Sequence, residues 1–255
     1  MDETRRDSVG AQTGLLYDLE GRQRKAEKIR AALARVASDT RTLSLLDVGC
    51  ASGIITRALA ADFRFTAGID LNETGLRMPP GGTTRQLREA HFLQATTARL
   101  PFADCCFDVV VCAQVYEHVA DQAALSDEIF RVLKPGGWMF FSGPNRTWPI
   151  EDHYKLFGLG WLPQKWASAY LRLAKRGRVF DENLLTSWQL ENLFKRFVIT
   201  DVTPLMIKSP ADFKLDIGIA GSLAAILPNG FLSRLSWIYP NPNWLLFKPV
   251  TNTVD

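Results

Sequence analysis

The residues best suited to chemistry cluster in Asp47-Val48-Gly49-Cys50-Ala51-Ser52-Gly53, a turn between an apolar run ending at Val48 and a helical pattern opening near Ile54. Glycines let the backbone turn sharply and approach a ligand closely, and the helix that follows directs free N–H groups and its positive dipole end to the same spot. Asp70 comes 17 residues after Gly53, just past a second apolar run, a position from which a carboxylate accepts both hydroxyls of a ribose. Turn and carboxylate together indicate an adenosine-containing ligand. A dinucleotide fingerprint beginning at Gly49 would need glycine at 51 and 54; Ala51 and Ile54 stand there, which weighs against NAD. Two imidazoles, His118 in Glu117-His118-Val119 and His153 in Glu151-Asp152-His153-Tyr154, follow later strand-like runs and titrate near neutral pH, as a general base must.

These groups need elements to hold them at one edge. Short apolar runs at 43–48, 63–70, 90–95, 107–114 and 138–145 read as strands, and helical patterns separate several of them. The clearest helix is 121–134, with Leu125, Ile129, Val132 and Leu133 on one face and Pro135-Gly136-Gly137 as its expected stop. An amphipathic helix over 15–37 precedes the first strand. Thr186 and Gln189 have the spacing of a capping box opening a helix over 187–196, followed by expected strands at 197–207 and 242–249. Alternation of this kind predicts a doubly wound α/β sheet with ligands at the carboxyl ends of its strands. The expected organisation is an N-terminal arm (1–13) and one domain (14–255), with an insertion at about 146–180 and an apolar excursion at about 210–240.

Composition bounds the function. With 255 residues, 47% hydrophobic and 22% charged, the chain is neither disordered nor fibrous. A net charge of +3 is too mild to announce nucleic acid. The charged start does not resemble a signal peptide, and the apolar stretch 217–227 is too short to cross a bilayer. Four cysteines without paired CxxC spacing and three scattered histidines suggest no metal site and a reducing, cytoplasmic setting; Cys50 and Cys112 are expected as small buried apolar residues. The mild overall charge conceals one basic region: residues 146–178 hold seven Lys or Arg against Glu151 and Asp152, a local excess of +5. This insertion also carries Trp161, Trp166 and Tyr170, the composition of a lid or of a helix lying at a membrane surface.

Five motifs in order, LLDVGCASG, GID, ARLPF, FDVVVCAQVYEHV and RVLKPGGWMFFSGPN, make the chain resemble class I S-adenosylmethionine-dependent methyltransferases of the type 11-like group. The resemblance is close over about 40–145. It implies a Rossmann-like seven-stranded sheet with the last strand antiparallel and S-adenosyl-L-methionine as cofactor. It further implies that Asp47, Gly49, Ala51 and Gly53 hold the methionine end, Asp70 and the adjacent Leu71 the ribose, Thr96 the adenine side, and Gln114 the neighbourhood of the sulfonium. Two positions depart from the pattern. Ala51 replaces a usual glycine, at little cost if its φ is negative, and Thr96 replaces an aspartate while keeping one hydroxyl acceptor. The implied reaction is methyl transfer to a small-molecule or lipid-linked acceptor, above all to oxygen, with His153 and His118 as candidate bases. The alternative is a non-catalytic protein that binds adenosylmethionine or adenosylhomocysteine.

Overall fold

Ser44–Val48 forms β1, and all five residues are buried. A strand so covered on both faces is what helices packed on either side of a parallel sheet require. In the computed structural model, which describes residues 19–72, 90–151, 153–215 and 218–250, β1 pairs in parallel with β2 (Phe65–Asp70) on one side and with β4 (Phe107–Ala113) on the other. The other strands are β3 (His91–Gln94), β5 (Leu133–Ser142), β6 (Val198–Asp201) and β7 (Asn243–Phe247). The sheet runs β3-β2-β1-β4-β5-β7-β6, with β7 antiparallel to both neighbours. The expected doubly wound, seven-stranded architecture is thus present. The strand order reverses between β1 and β4, which opens a crevice at their carboxyl ends.

Helices α1 (Leu19–Leu33), α2 (Ile54–Ala60) and a short α6 (Thr203–Lys208) cover one face, where Ile29, Leu33, Leu59 and Met206 join Leu45 and Phe140 in one core. Helices α3 (Gln122–Val132) and α5 (Ser187–Leu193) cover the other, packing Leu125, Ile129 and Leu190 on Leu46, Val110 and Phe141. The insertion has its own small core, in which Ala167 and Leu171 of α4 (Gln164–Leu173) meet Leu159 and Phe180. The expected N-terminal arm lies outside the described residues, as does Asp152.

Three local expectations meet their physical limits here. The capping box forms, Thr186 and Gln189 bonding reciprocally at the start of α5. Pro135-Gly136-Gly137, expected as a helix stop, lies inside β5: α3 ends at Val132, β5 starts at once, and the register with β4 shifts between Phe107 and Val109. The Gly and Pro residues sit in that irregularity, where a strand tolerates them. The expected strand over 197–207 stops at Asp201, whose Oδ1 accepts the Thr203 N–H at 2.9 Å. Pro204 then sits in the first turn of α6, where its missing N–H costs nothing. Where α3 ends, Lys248 donates to the Phe130 and Leu133 carbonyls at 2.7 Å each, satisfying groups the helix leaves open.

Candidate functional site

The turn after β1 is built from left-handed residues: Gly49 at φ +72, Ala51 at +49 and Gly53 at +70. The N–H groups of Gly49 and Cys50 both donate to the Ile69 carbonyl at 2.8 and 2.9 Å, tying the turn to β2. Asp70, at the end of β2, accepts the Ala51 N–H on Oδ2 and the Asn72 N–H on Oδ1, each at 2.8 Å. Its carboxylate is therefore fixed against the crevice edge, with lone pairs left on both oxygens. Beneath the turn, buried Asp47 accepts the Thr56 hydroxyl at 2.6 Å. Burial pushes the Asp47 carboxyl up to about 7, against the Thr56 hydrogen bond that works to lower it.

Ala51 corrects the sequence reading. Its φ is positive, so its methyl group costs about 1–2 kcal/mol relative to a right-handed conformation. Ala51→Gly relieves this strain but adds unfolded-state entropy, leaving a net stabilisation of about 1 kcal/mol, to be read as a higher midpoint in urea.

Thr96 is exposed, and its hydroxyl accepts the Ala98 N–H at 3.3 Å, a turn bond that the short loop requires. Leu71 is exposed beside Asp70. Gln114 closes β4 at φ +60 and donates its side-chain amide to Asn241 Oδ1 at 2.9 Å. Left-handed Gln114, Gly49, Ala51 and Gly53 all lie at the carboxyl ends of β1 and β4; the glycines adopt this conformation freely, whereas Ala51 and Gln114 carry backbone strain there. Cys50 and Cys112 are buried, and burial drives both thiols upward, as inert packing residues require.

His118 and His153, 35 residues apart in sequence, are brought together with ring centroids 5.7 Å apart. Burial and the neighbouring His153 charge lower the pKa of His118. His153 goes the other way. Its Nδ1 stands 2.8 Å from Glu182 Oε1 and 3.2 Å from Glu151 Oε1, and these carboxylates overcome the burial that opposes protonation, raising the imidazole to about 10. At neutral pH His153 is a proton donor, so the general-base role expected for it does not fit this geometry. The two carboxylates respond differently: hydrogen bonds from His153 and Tyr154 outweigh burial and lower Glu151, whereas burial raises Glu182. Sequence reasoning missed Glu182 and Asn241, because neither sits in a motif; each reaches the site from a distant segment.

Comparison with known proteins bears on this geometry. Residues 46–141 match the family model described as a methyltransferase domain, a span that runs from β1 to the end of β5. Over that span the chain is similar to a methyltransferase domain. Curated relatives of that domain include the ubiquinone biosynthesis O-methyltransferases of Leptothrix cholodnii, 37% identical over 110 residues (41% of this chain, 46% of the relative), and of Nitrosomonas europaea, 32% identical over 139 residues (52% and 54%). The chain spans about half the length of the curated relatives it matches. Among solved structures, the Haloferax volcanii complex of the Trm112 methyltransferase activator with a putative methyltransferase has TM-score 0.57 at 17% identity, covering 95% of this chain and 98% of that one. A S-adenosylmethionine-dependent methyltransferase from Mesorhizobium loti has TM-score 0.56 at 18% identity, covering 84% and 95%. These likenesses extend the fold of the methyltransferase domain across nearly the whole chain.

Proposed function

We propose that the chain binds S-adenosyl-L-methionine at the β1 turn and transfers its methyl group to an oxygen of a small-molecule acceptor. The observation that carries this reading is the Asp70 carboxylate, held by two backbone N–H groups beside a turn of left-handed residues. The residues suit the group: Asp70 keeps lone pairs for ribose hydroxyls, and Asp47 offers a buried carboxyl, held up to about 7 by its burial, that an ammonium would stabilise in its charged form. The cofactor supplies a methyl already activated by a positive sulfur. The chain therefore has to align the acceptor and exclude water. Gly49, Ala51 and Gly53 shape the cradle, and Leu71, Thr96 and Gln114 border it. His118, in the loop that Gln114 opens, is the candidate base for an acceptor hydroxyl.

Titration calorimetry with adenosylhomocysteine and a labelled-methyl assay over extracts test this reading. Binding with turnover supports it; binding without turnover leaves the non-catalytic alternative, and no binding removes both. Pairing Asp47 with an ammonium also fixes a pH dependence. The free carboxyl titrates near 7, so below that pH it must lose a proton to bind, and affinity falls about tenfold per unit. Asp47→Asn flattens this slope in the same calorimetric series.

A lipid-linked acceptor and peripheral membrane contact are the finer form of the proposal. Phe157, Trp161, Trp166 and Leu173 are exposed within the basic insertion, and Leu223, Ile226 and Trp237 are exposed in the apolar excursion. Among the described residues no helix is long and apolar enough to cross a membrane. Aromatic and basic side chains of this kind suit the interface of an anionic bilayer. The chain is expected to co-sediment with anionic liposomes at low salt, and Trp166→Ser with Leu173→Ser to lose most of that binding. Equal sedimentation by the double variant would remove the membrane contact from the proposal.

A further inference from the structure

Glu151, His153 and Glu182 form a cluster that the methyl-transfer reading leaves unused. Glu151 and His153 stand near the start of the insertion and Glu182 follows 31 residues after Glu151, so the three meet only through tertiary folding. The Nδ1 distances of 2.8 and 3.2 Å are supplemented by a third side, since ligand atoms of all three residues lie within 4.8 Å of one another. The carboxylates of Glu151 and Glu182 are 0% and 3% exposed, and neither forms an ion pair with a Lys or Arg among the described residues. Glu151 is well supplied, accepting the His153 N–H at 2.8 Å and the Tyr154 N–H at 2.6 Å. Glu182 is not. Its Oε2 is buried without a hydrogen-bond partner.

Two buried carboxylates share one imidazole, and buried charges persist where they are paired or coordinate a metal. The spacing also suits an ion, because donors bound at ~2.1 Å in octahedral geometry stand ~3.0 Å from one another. One imidazole nitrogen with two carboxylates is a mixed N/O set, appropriate to a divalent first-row cation rather than to Ca²⁺ with its all-oxygen shell. We propose that Glu151, His153 and Glu182 bind one divalent first-row cation, such as Mn²⁺ or Zn²⁺, through His153 Nδ1 and an oxygen of each carboxylate. Binding displaces the Nδ1 proton to solvent, one proton for each ion bound. Three protein ligands leave coordination positions open. The ion clips the two ends of the insertion together, adding to the small core around Leu159 and Phe180 and to the bonds that tie Gly158, Gly160 and Trp161 back to Pro149 and Arg146. Because His118 lies against His153, the open positions sit at the acceptor side; that placement rests on the methyl-transfer reading, whereas ion binding does not.

The test uses the full chain stripped with EDTA and titrated with Mn²⁺, followed by calorimetry and electron paramagnetic resonance. One equivalent is expected to bind, with imidazole nitrogen modulation in the pulsed spectrum of the wild-type complex. At a hundredfold excess over Kd the melting temperature is expected to rise by about 5–10 °C. Glu182→Gln keeps the side-chain shape and is expected to weaken Mn²⁺ binding at least tenfold while retaining the metal-free melting temperature. If that variant does not fold, His153→Gln and the wild-type nitrogen signal decide. No saturable binding of Mn²⁺ or Zn²⁺ below about 1 mM, binding without the nitrogen signal, or unchanged affinity in the variants overturns the proposal. Ion binding in a chain that fails to bind adenosylhomocysteine would leave this site standing and sink the methyl-transfer reading alone.

Discussion

Gly49→Ala is expected to destabilise the chain by about 2–4 kcal/mol and to abolish adenosylhomocysteine binding. Two costs add. At φ +72 any Cβ is strained, and here it would stand 2.5 Å from Val115 Cγ2 and 3.0 Å from Cγ1. Val115 is buried and β-branched, so it has little rotamer freedom with which to withdraw. It also directly follows Gln114, so a displaced Val115 would carry the carboxyl end of β4 with it. Urea melts give the stability and calorimetry the binding; a variant within about 0.5 kcal/mol of wild type would show that Val115 yields without penalty. Gly53 faces the same limit at φ +70, where a Cβ would meet the Phe92 ring at 2.5 Å.

The second large effect is expected from Asp70→Ala, a loss of about 100-fold in adenosylhomocysteine affinity. The substitution removes the acceptor that would hold the ribose and also strips the Ala51 and Asn72 N–H groups of their partner. Hydrogen bonds to a charged acceptor are the strong ones, so the turn loses its shape together with its ligand contact. Asp70→Asn retains one oxygen acceptor and is expected to lose less. Equal affinity for the wild type and Asp70→Ala would place the nucleoside elsewhere and remove the central observation from the proposed function.

The core strands were legible because an apolar run buried on both faces has few alternatives. β1, β4 and the helix α3 appear where their apolar residues predict. Boundaries were legible only where a local bond fixes them, as at the Thr186 capping box. The run from Val202 to Ile207 is as apolar as a strand, and its helical state is favoured by the turn bond from the Thr203 N–H to Asp201 and by Pro204 in the first turn, short-range features that apolar periodicity does not register. At the site, the ordered motifs located the turn and Asp70, yet the sign of φ at Ala51 was hidden, because a side chain's identity does not report the backbone conformation its neighbours impose.

The sequence by itself determined the sheet class, the glycine turn and the carboxylate that faces it, since each is encoded within a few consecutive residues. Only the tertiary structure decided what His153 can do. Both partners that hold it protonated are buried acids, and Glu182 arrives 29 residues further along the chain, beyond any local pattern. The charge state of a side chain is set by the groups and the water around it in space, and that neighbourhood exists only once the insertion has folded back onto its own start.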